Sequence, residues 1–335
     1  MTKRALVVTS IADDKHPILK KLTEDAGKSD LSFIVIGDSK SPSSFQLNGC
    51  DFWSIERQSS LPFSLAAITP QKHYSRKNLG YLIAIKGGVT ELLETDDDNI
   101  PRAEFWAERS SQVECSSFEN EGWINIYRFF TDKMIWPRGY PLEELQKPHP
   151  ALTLKKPALS LCPIQQGLAD ENPDVDAVYR LTYPLPLSFE KKGKIALGKN
   201  SWSPFNSQNT YWFKEAFPLL YLPSYCSFRM TDIWRSYVAQ RISWECGWSI
   251  LYHEATVWQE RNEHNLMKDF EDEIPGYTNN ARICKELQKL ELQPGKENIA
   301  DNMRSCYSKL IEMGVVGPEE MKLLDAWISD LNILL

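Results

Sequence analysis

YSRKNLGYLIAIKGGVTELLETDDDNIP, from Tyr74 to Pro101, is the stretch whose reading decides the fold class. Ser75 stands where a helix cap belongs. Leu79, Leu82 and Ile83 place an apolar stripe at helical spacing, and Gly87 and Gly88 supply a stop. The spacing predicts a helix over Ser75 to Lys86. Val89 to Thr95 then reads as an apolar strand, after which Asp96, Asp97, Asp98 and Asn99 arrive together at a turn closed by Pro101. A helix followed by a strand that ends in polar side chains is the unit of an α/β sheet whose ligand crevice lies at the strands' carboxyl edge.

The flanking sequence repeats that unit. Arg4 to Val8 is a short apolar strand running into Thr9 and Ser10, a helix fits His16 to Ala26, and the strand Leu31 to Ile36 ends at Gly37 and Asp38. A mostly parallel central sheet is therefore expected. Lys40 to Gly49 and Leu61 to Pro70 read as irregular connections, and Trp123 to Pro150 mixes aromatic segments with the rigid turn WPRGYP. Asp174 to Thr182 leads from a loop into a regular element, and proline and glycine punctuate the chain onward to Asn209. Helical periodicity returns over Asp232 to Arg241, then over Asn280 to Leu290, Ile299 to Met313 and Pro318 to Leu331. The expected division is an α/β domain over residues 1–275 and a small helical extension over residues 276–335.

Composition narrows the partners. With 335 residues and 42% hydrophobic content, the chain buries roughly three quarters of its unfolded surface. A net charge of -7 gives no support to a general attraction to nucleic acid or to an anionic membrane. The opening MTKRALVVTSIADDK has too short an apolar run for a cleaved leader or anchor, and no run of apolar residues is long enough for an integral membrane segment. Seven scattered cysteines lack the short paired spacings of a zinc or disulfide framework and suit reduced thiols. A cytoplasmic location is expected, compatible with peripheral association with a membrane-bound assembly system and with a homo-oligomer. Trp202, Trp212, Trp234, Trp244, Trp248 and Trp258 crowd one region; such residues build core, and near a polar loop they also stack on sugar rings or bases.

The acidic run carries the chemistry. In an extended segment Asp96 and Asp98 share a side while Asp97 points elsewhere and Glu94 supports either face. Read alone, such a run is also the composition of a solvated turn. Carboxylates converging in a cleft repel one another, which favours Mg2+ or Mn2+ between them. A nucleotide-diphosphate sugar needs that cation twice, for its diphosphate and for the charge reaching the leaving oxygen as the sugar bond breaks. Arg76 and Lys77, at the start of a helix whose backbone donors favour phosphate, and Arg138 are candidate further donors.

YSRKNLGYLIAIKGGVTELLETDDDNIP, WPRGYP (Trp136 to Pro141), PDVDAVYRLT (Pro173 to Thr182) and SPFNSQNT (Ser203 to Thr210) together resemble the STELLO-type glycosyltransferases. More distantly they resemble the reversibly glycosylated plant polypeptides, which are sugar-nucleotide mutases. The resemblance extends from about residue 5 to residue 275. It implies a GT-A fold, a Rossmann-like α/β domain with a DxD-type motif, a divalent cation and a nucleotide-sugar donor, with UDP as the expected nucleotide.

On that resemblance Asp98 is the direct metal ligand, Asp96 faces the ribose or a metal-bound water, and Asp97 does either. Thr9 and Asp38 match the strand ends that hold base and ribose, and Arg76, Lys77 and Asn78 match the helix opening beside them. Asp176 would lie near the donor sugar, or else make an Asx turn. Asn206, Gln208 and Asn209 suit hydroxyl recognition or turn stabilisation. Asp232 matches the acidic residue before a late helix that faces the acceptor; it takes the acceptor's proton in an inverting transferase, or caps the helix. A further metal ligand from the chain's far end is common in this fold, but Gln259 stands where the plant polypeptides carry histidine, which leaves His264 or His253. The implied activity is metal-dependent sugar transfer to a carbohydrate or glycan hydroxyl; mutase action, self-glycosylation and non-catalytic nucleotide-sugar binding are the alternatives.

Overall fold

The computed structural model of the chain describes residues 3–118, 120–147, 152–260 and 265–335. Its strands are β1 (Arg4–Thr9), β2 (Leu31–Ile36), β3 (Cys50–Trp53), β4 (Glu91–Thr95), β5 (Asn99–Pro101), β6 (Gln112–Ser117), β7 (Gly122–Trp123), β8 (Ala158–Leu161), β9 (Ile164–Asp170), β10 (Lys194–Leu197), β11 (Ser201–Trp202), β12 (Asn209–Phe213) and β13 (Ile250–Gln259). The helices are α1 (Pro17–Lys28), α2 (Ile55–Ser59), α3 (Lys77–Lys86), α4 (Tyr127–Phe130), α5 (Leu142–Leu145), α6 (Ala177–Thr182), α7 (Thr231–Glu245), α8 (Leu266–Gln288), α9 (Ile299–Glu312) and α10 (Glu320–Leu334).

One large sheet runs in the order β3-β2-β1-β4-β12-β9-β13-β10-β6-β8, with β5 paired to β13. Its first four strands are parallel. The expectation of a mostly parallel sheet fails beyond them. β12 is antiparallel to both β4 and β9, β13 is antiparallel to β10, and β6 is antiparallel to β8. The fold is α/β with a mixed central sheet and C-terminal helices. β12 reverses because SPFNSQNT enters at the edge where β4 ends: Asn209 pairs with Thr95 and Phe213 with Glu91. The antiparallel register therefore lays that loop directly against the acidic run.

The pleat sorts the core. Along β1, Ala5 and Val7 join the cluster containing α3 and α7, while Leu6 and Val8 join the cluster formed with Leu19, Leu22 and Ala26 of α1. Pro17 opens α1 at a position where its missing N–H costs nothing. The α-helix expected from Ser75 begins at Lys77 instead, after a 3-10 turn over Tyr74–Arg76 in which the His73 ring accepts from the Ser75 N–H. It ends at Gly87, and Gly88 follows at φ +79°.

The C-terminal helices share the larger cluster. Trp234 of α7 donates to Asn280 of α8 at 3.0 Å, Trp327 of α10 donates to the Pro218 carbonyl at 3.0 Å, and Asp330 accepts from the backbone N–H groups of Ser64 and Leu65. α8 runs unbroken through Pro275.

Helix α3 lies tight on the parallel strands because residue 80 has no side chain. A Cβ there would meet Val7 Cγ1 at 2.5 Å and Ile36 Cγ1 at 2.8 Å. Gly80→Ala gains about 1 kcal/mol of helix propensity and loses more to overpacking. A net destabilisation of about 1–2 kcal/mol is expected, read as a lower urea midpoint at unchanged m value.

Candidate functional site

The carboxyl ends of β1, β2 and β4 open into a cleft of about 490 Å³. Thr9, Ser10, Gly37, Asp38, Asp96, Asp97 and Asp98 line it together. The three aspartates do not converge on one point. Asp96 Oδ1 accepts from the Tyr74 hydroxyl at 2.9 Å, Asp97 Oδ2 accepts from the Ser10 hydroxyl at 2.5 Å, and Asp98 Oδ2 accepts from the Gln259 amide at 3.0 Å. Burial pushes the Asp96 carboxyl up to about 7, against the pull of Lys77. Asp38 accepts the backbone N–H groups of Lys72 and His73 at 2.8 and 3.0 Å, so it clasps the turn leading into α3.

That turn distributes the basic residues. Lys77 is fully buried; its ammonium donates to the Tyr74 hydroxyl and to the carbonyls of Thr95 and Ser207, and lies 3.6 Å from Asp96 Oδ1. Arg76 lines the cleft although it is almost wholly buried. Its guanidinium is held by Gln58 and by the carbonyls of Thr69 and Pro70, with burial lowering its pKa. Gln58 in turn donates to the carbonyls of Gly37 and Trp53. Asn78 faces away from the cleft and exchanges two hydrogen bonds with the backbone of Leu222.

Arg138 organises the opposite end. It donates Nε and Nη2 to Asp174 at 2.8 and 3.0 Å, and Nη1 and Nη2 to Asp232 at 3.0 and 2.9 Å. Gly139, at φ +93° and with a Cβ position blocked by Ile233, supplies the turn that brings the guanidinium there. Burial alone would raise the Asp232 carboxyl; Arg138 overcomes this and holds it below the usual carboxylate range. Asp232 also accepts from the backbone and hydroxyl of Ser207, whose Oγ lies 2.6 Å from the Tyr74 hydroxyl. A continuous chain thus runs Asp96–Tyr74–Ser207–Asp232–Arg138–Asp174.

Asp176 sits elsewhere. It is buried, caps α6 by accepting from Tyr179 N–H, and accepts from the Trp136 indole at 2.6 Å. The cleft-lining carboxylate of PDVDA is Asp174, two residues earlier. Asn206 donates to Asp174 at 2.7 Å, Gln208 lines the cleft and donates to Asn99, and Asn209 bonds Leu168 and Thr256 away from it. His253 is half-buried on β13 against Gln165, with desolvation lowering its pKa, and His264 lies outside the described residues.

Among the described residues no group of three or more His, Cys, Asp or Glu side chains is arranged to hold a metal ion. Sequence reasoning missed Tyr74, Ser207 and Asp174. Tyr74 and Ser207 lie within quoted motifs but carry no spacing signal, and Asp174 stands in the same PDVDA run as the residue chosen instead.

The chain is 30% identical over 97% of its length to "Probable glycosyltransferase STELLO2" of Arabidopsis thaliana, and 28% identical over 97% to "Probable glycosyltransferase STELLO1" of the same plant. The chain is homologous to the STELLO glycosyltransferases. It spans 44% of the length of either relative, and a family model described as STELLO glycosyltransferases matches residues 229–335. The distant likeness to mutases finds no support in these comparisons. A mycobacterial protein of known crystal structure covers 85% of this chain, and 73% of its own, at TM-score 0.40 and 9% identity, a likeness too slight to assign a fold. No helix among the described residues is long and apolar enough to cross a membrane.

Asp176 gives a pH test. Burial raises its carboxyl to about 7 from the ordinary 3.8, so the folded state holds a proton that the unfolded chain releases. Stability therefore falls as pH rises through that interval and the penalty is complete above it. Asp176→Asn keeps the cap and removes the titrating group. The variant is expected to lose less stability than the parent between pH 5 and pH 8, measured as urea midpoints across that range.

Proposed function

We propose that the chain is the nucleotide-sugar-binding part of a metal-dependent glycosyltransferase of GT-A type, which moves a sugar from a UDP-sugar to a carbohydrate hydroxyl. The observation that carries this reading is the meeting of Asp96, Asp97 and Asp98 with the ends of β1 and β2 in one cleft. Homology to the STELLO glycosyltransferases over most of the chain supports it. Residues 1–275 hold the donor, and residues 276–335 buttress the helix α7 behind it.

The donor set suits Mg2+ or Mn2+. Such ions are bound through one or two carboxylates, with substrate phosphates and water completing the shell, so a preformed cage of three side chains is not required. Asp98 and Asp96 are the residues assigned to the ion. Bound there, it would offset the diphosphate charge in the ground state and on the leaving oxygen. The chain's own residues do the positioning. Lys77 and Tyr74 orient Asp96, Ser10 orients Asp97 and Gln259 orients Asp98. Asp38 fixes the turn that delivers Arg76 to the donor side of the cleft. Asp232, with its carboxyl depressed beside Arg138, aligns Ser207 and Arg138 and is a weak proton acceptor at neutral pH.

Calorimetry with UDP-glucose, UDP-galactose and UDP-xylose tests the metal bridge. Binding is expected with Mn2+ and lost in excess chelator; equal affinity in both would remove the metal from the proposal. Donor binding with neither hydrolysis nor transfer would instead indicate a binding module without turnover.

Asp98→Asn keeps the side-chain size and the contact with Gln259 while removing the charge. The expected loss is about 3 kcal/mol of transition-state stabilisation, or about a hundredfold in donor hydrolysis at limiting Mn2+. Thermal unfolding of the metal-free variant should match the parent, and parent-rate turnover would reject Asp98 as the ligand.

A further inference from the structure

Phe228 is 54% exposed, yet it lines the cleft. Its loop is fixed from both sides. The backbone N–H groups of Ser224 and Tyr225 donate to the buried Glu320 of α10, the Ser227 hydroxyl donates to the Asp272 carbonyl, and Arg229 pairs with Glu273 of α8 at 2.8 Å. The His73 and Tyr74 rings meet Phe228 in T-shaped contacts at 5.9 and 6.2 Å, which set the plane of its ring. A large apolar ring, held in place but left in water on the wall of a polar cleft, is arranged for a ligand and not for the core.

Its surroundings say which ligand. The carbonyl of the next residue, Arg229, accepts from Arg138, the same guanidinium that holds Asp174 on the cleft wall. Asp174 accepts from Arg138 and Asn206 and retains lone-pair capacity for a further donor. An apolar ring and a carboxylate on the walls of one cleft match a molecule with a C–H face and several hydroxyl donors. A nucleobase has few donors to offer Asp174, and a lipid chain would leave Asp174 and Arg229 against apolar atoms.

We propose that Phe228 is the platform of an acceptor subsite that takes a pyranose ring, its C–H face on the phenyl ring and a hydroxyl at Asp174. Calling that sugar the acceptor rests on the transferase reading; the binding of the ring does not.

The test uses binding without turnover. Saturation-transfer NMR is run on the full chain with cellotetraose, xylotetraose and mannotetraose, and UDP-glucose affinity is measured separately with Mn2+. The parent should transfer saturation to the ring C–H protons of at least one tetraose. Phe228→Ala should weaken that tetraose by about tenfold or more, while Phe228→Trp retains it. The urea midpoint should not move in either variant, because the ring contributes little to the core. UDP-glucose affinity should stay within about twofold of the parent. Absence of transfer to all three oligosaccharides, or equal affinity in Phe228→Ala, overturns the subsite. Loss of UDP-glucose affinity in Phe228→Ala with tetraose binding intact makes the ring a donor-side platform and also overturns it. If donor binding proves independent of metal while the tetraose effect persists, the transferase reading fails and the sugar subsite stands.

Discussion

The ion pair between Glu94 and Arg235 fixes the frame on which the cleft is built. Glu94 is fully buried and Arg235 is 1% exposed, with Oε1 and Nη2 at 2.8 Å. The carboxylate also accepts from the Tyr81 hydroxyl of α3 and from the Trp212 indole of β12 at 2.8 Å. Four elements, β4, α3, β12 and α7, therefore meet on one carboxylate two residues before the acidic run. Taking both charges out of water costs several kcal/mol per ion, which is offset in part by the further hydrogen bonds from Tyr81 and Trp212 to Glu94 and from Arg235 to the Leu220 and Asn206 carbonyls. Its effect is geometric. The end of β4 has one position relative to the start of α3 and to the loop before β12, and Asp96 to Asp98 leave the sheet from a fixed point.

A second buried network repeats this logic one layer outward. Arg138 joins two carboxylates from distant parts of the chain, Asp174 and Asp232, and each is further held by the SPFNSQNT loop through Asn206 or Ser207. Removing Arg138 would leave both carboxylates without their counter-ion. The two networks are linked through Arg235, which donates to the carbonyl of Asn206 as well as to Glu94. Rigidity on this scale suits a site that must present separately held carboxylates to a charged ligand without letting them collapse together.

The C-terminal helices belong to this frame. Glu320 receives two backbone N–H groups of the loop that leads to Phe228, and the Ser224 hydroxyl in that loop bonds the Ser75 hydroxyl in the 3-10 turn before α3. Asn280 and Tyr237 both donate to the carbonyl of Gly139, behind Arg138. The tail thus supports two walls of the cleft without supplying a lining residue.

The sequence by itself determined the local elements and the place of the acidic run. Apolar runs bounded by glycine and polar residues located β1, β2, β4, α3, α7, α9 and α10 to within a few residues, because burial on a strand or helix face imposes a period that can be read from one chain; of α8 (Leu266–Gln288) only the part from Asn280 onward was legible. It also placed Thr9, Asp38 and Asp96 at strand ends, since parallel strands present their carboxyl ends on one edge. Only the tertiary structure decided the direction of β12, which depends on which side its loop enters. The same holds for the choice between neighbours: Asp174 and not Asp176 lines the cleft, Lys77 is enclosed while Arg76 reaches the wall, and Tyr74 and Ser207 bridge Asp96 to Asp232. Hydrogen bonds between residues more than a hundred positions apart leave no period in the sequence. A carboxylate that caps a helix and one that faces a ligand have the same composition, and they differ only in what the fold packs around them.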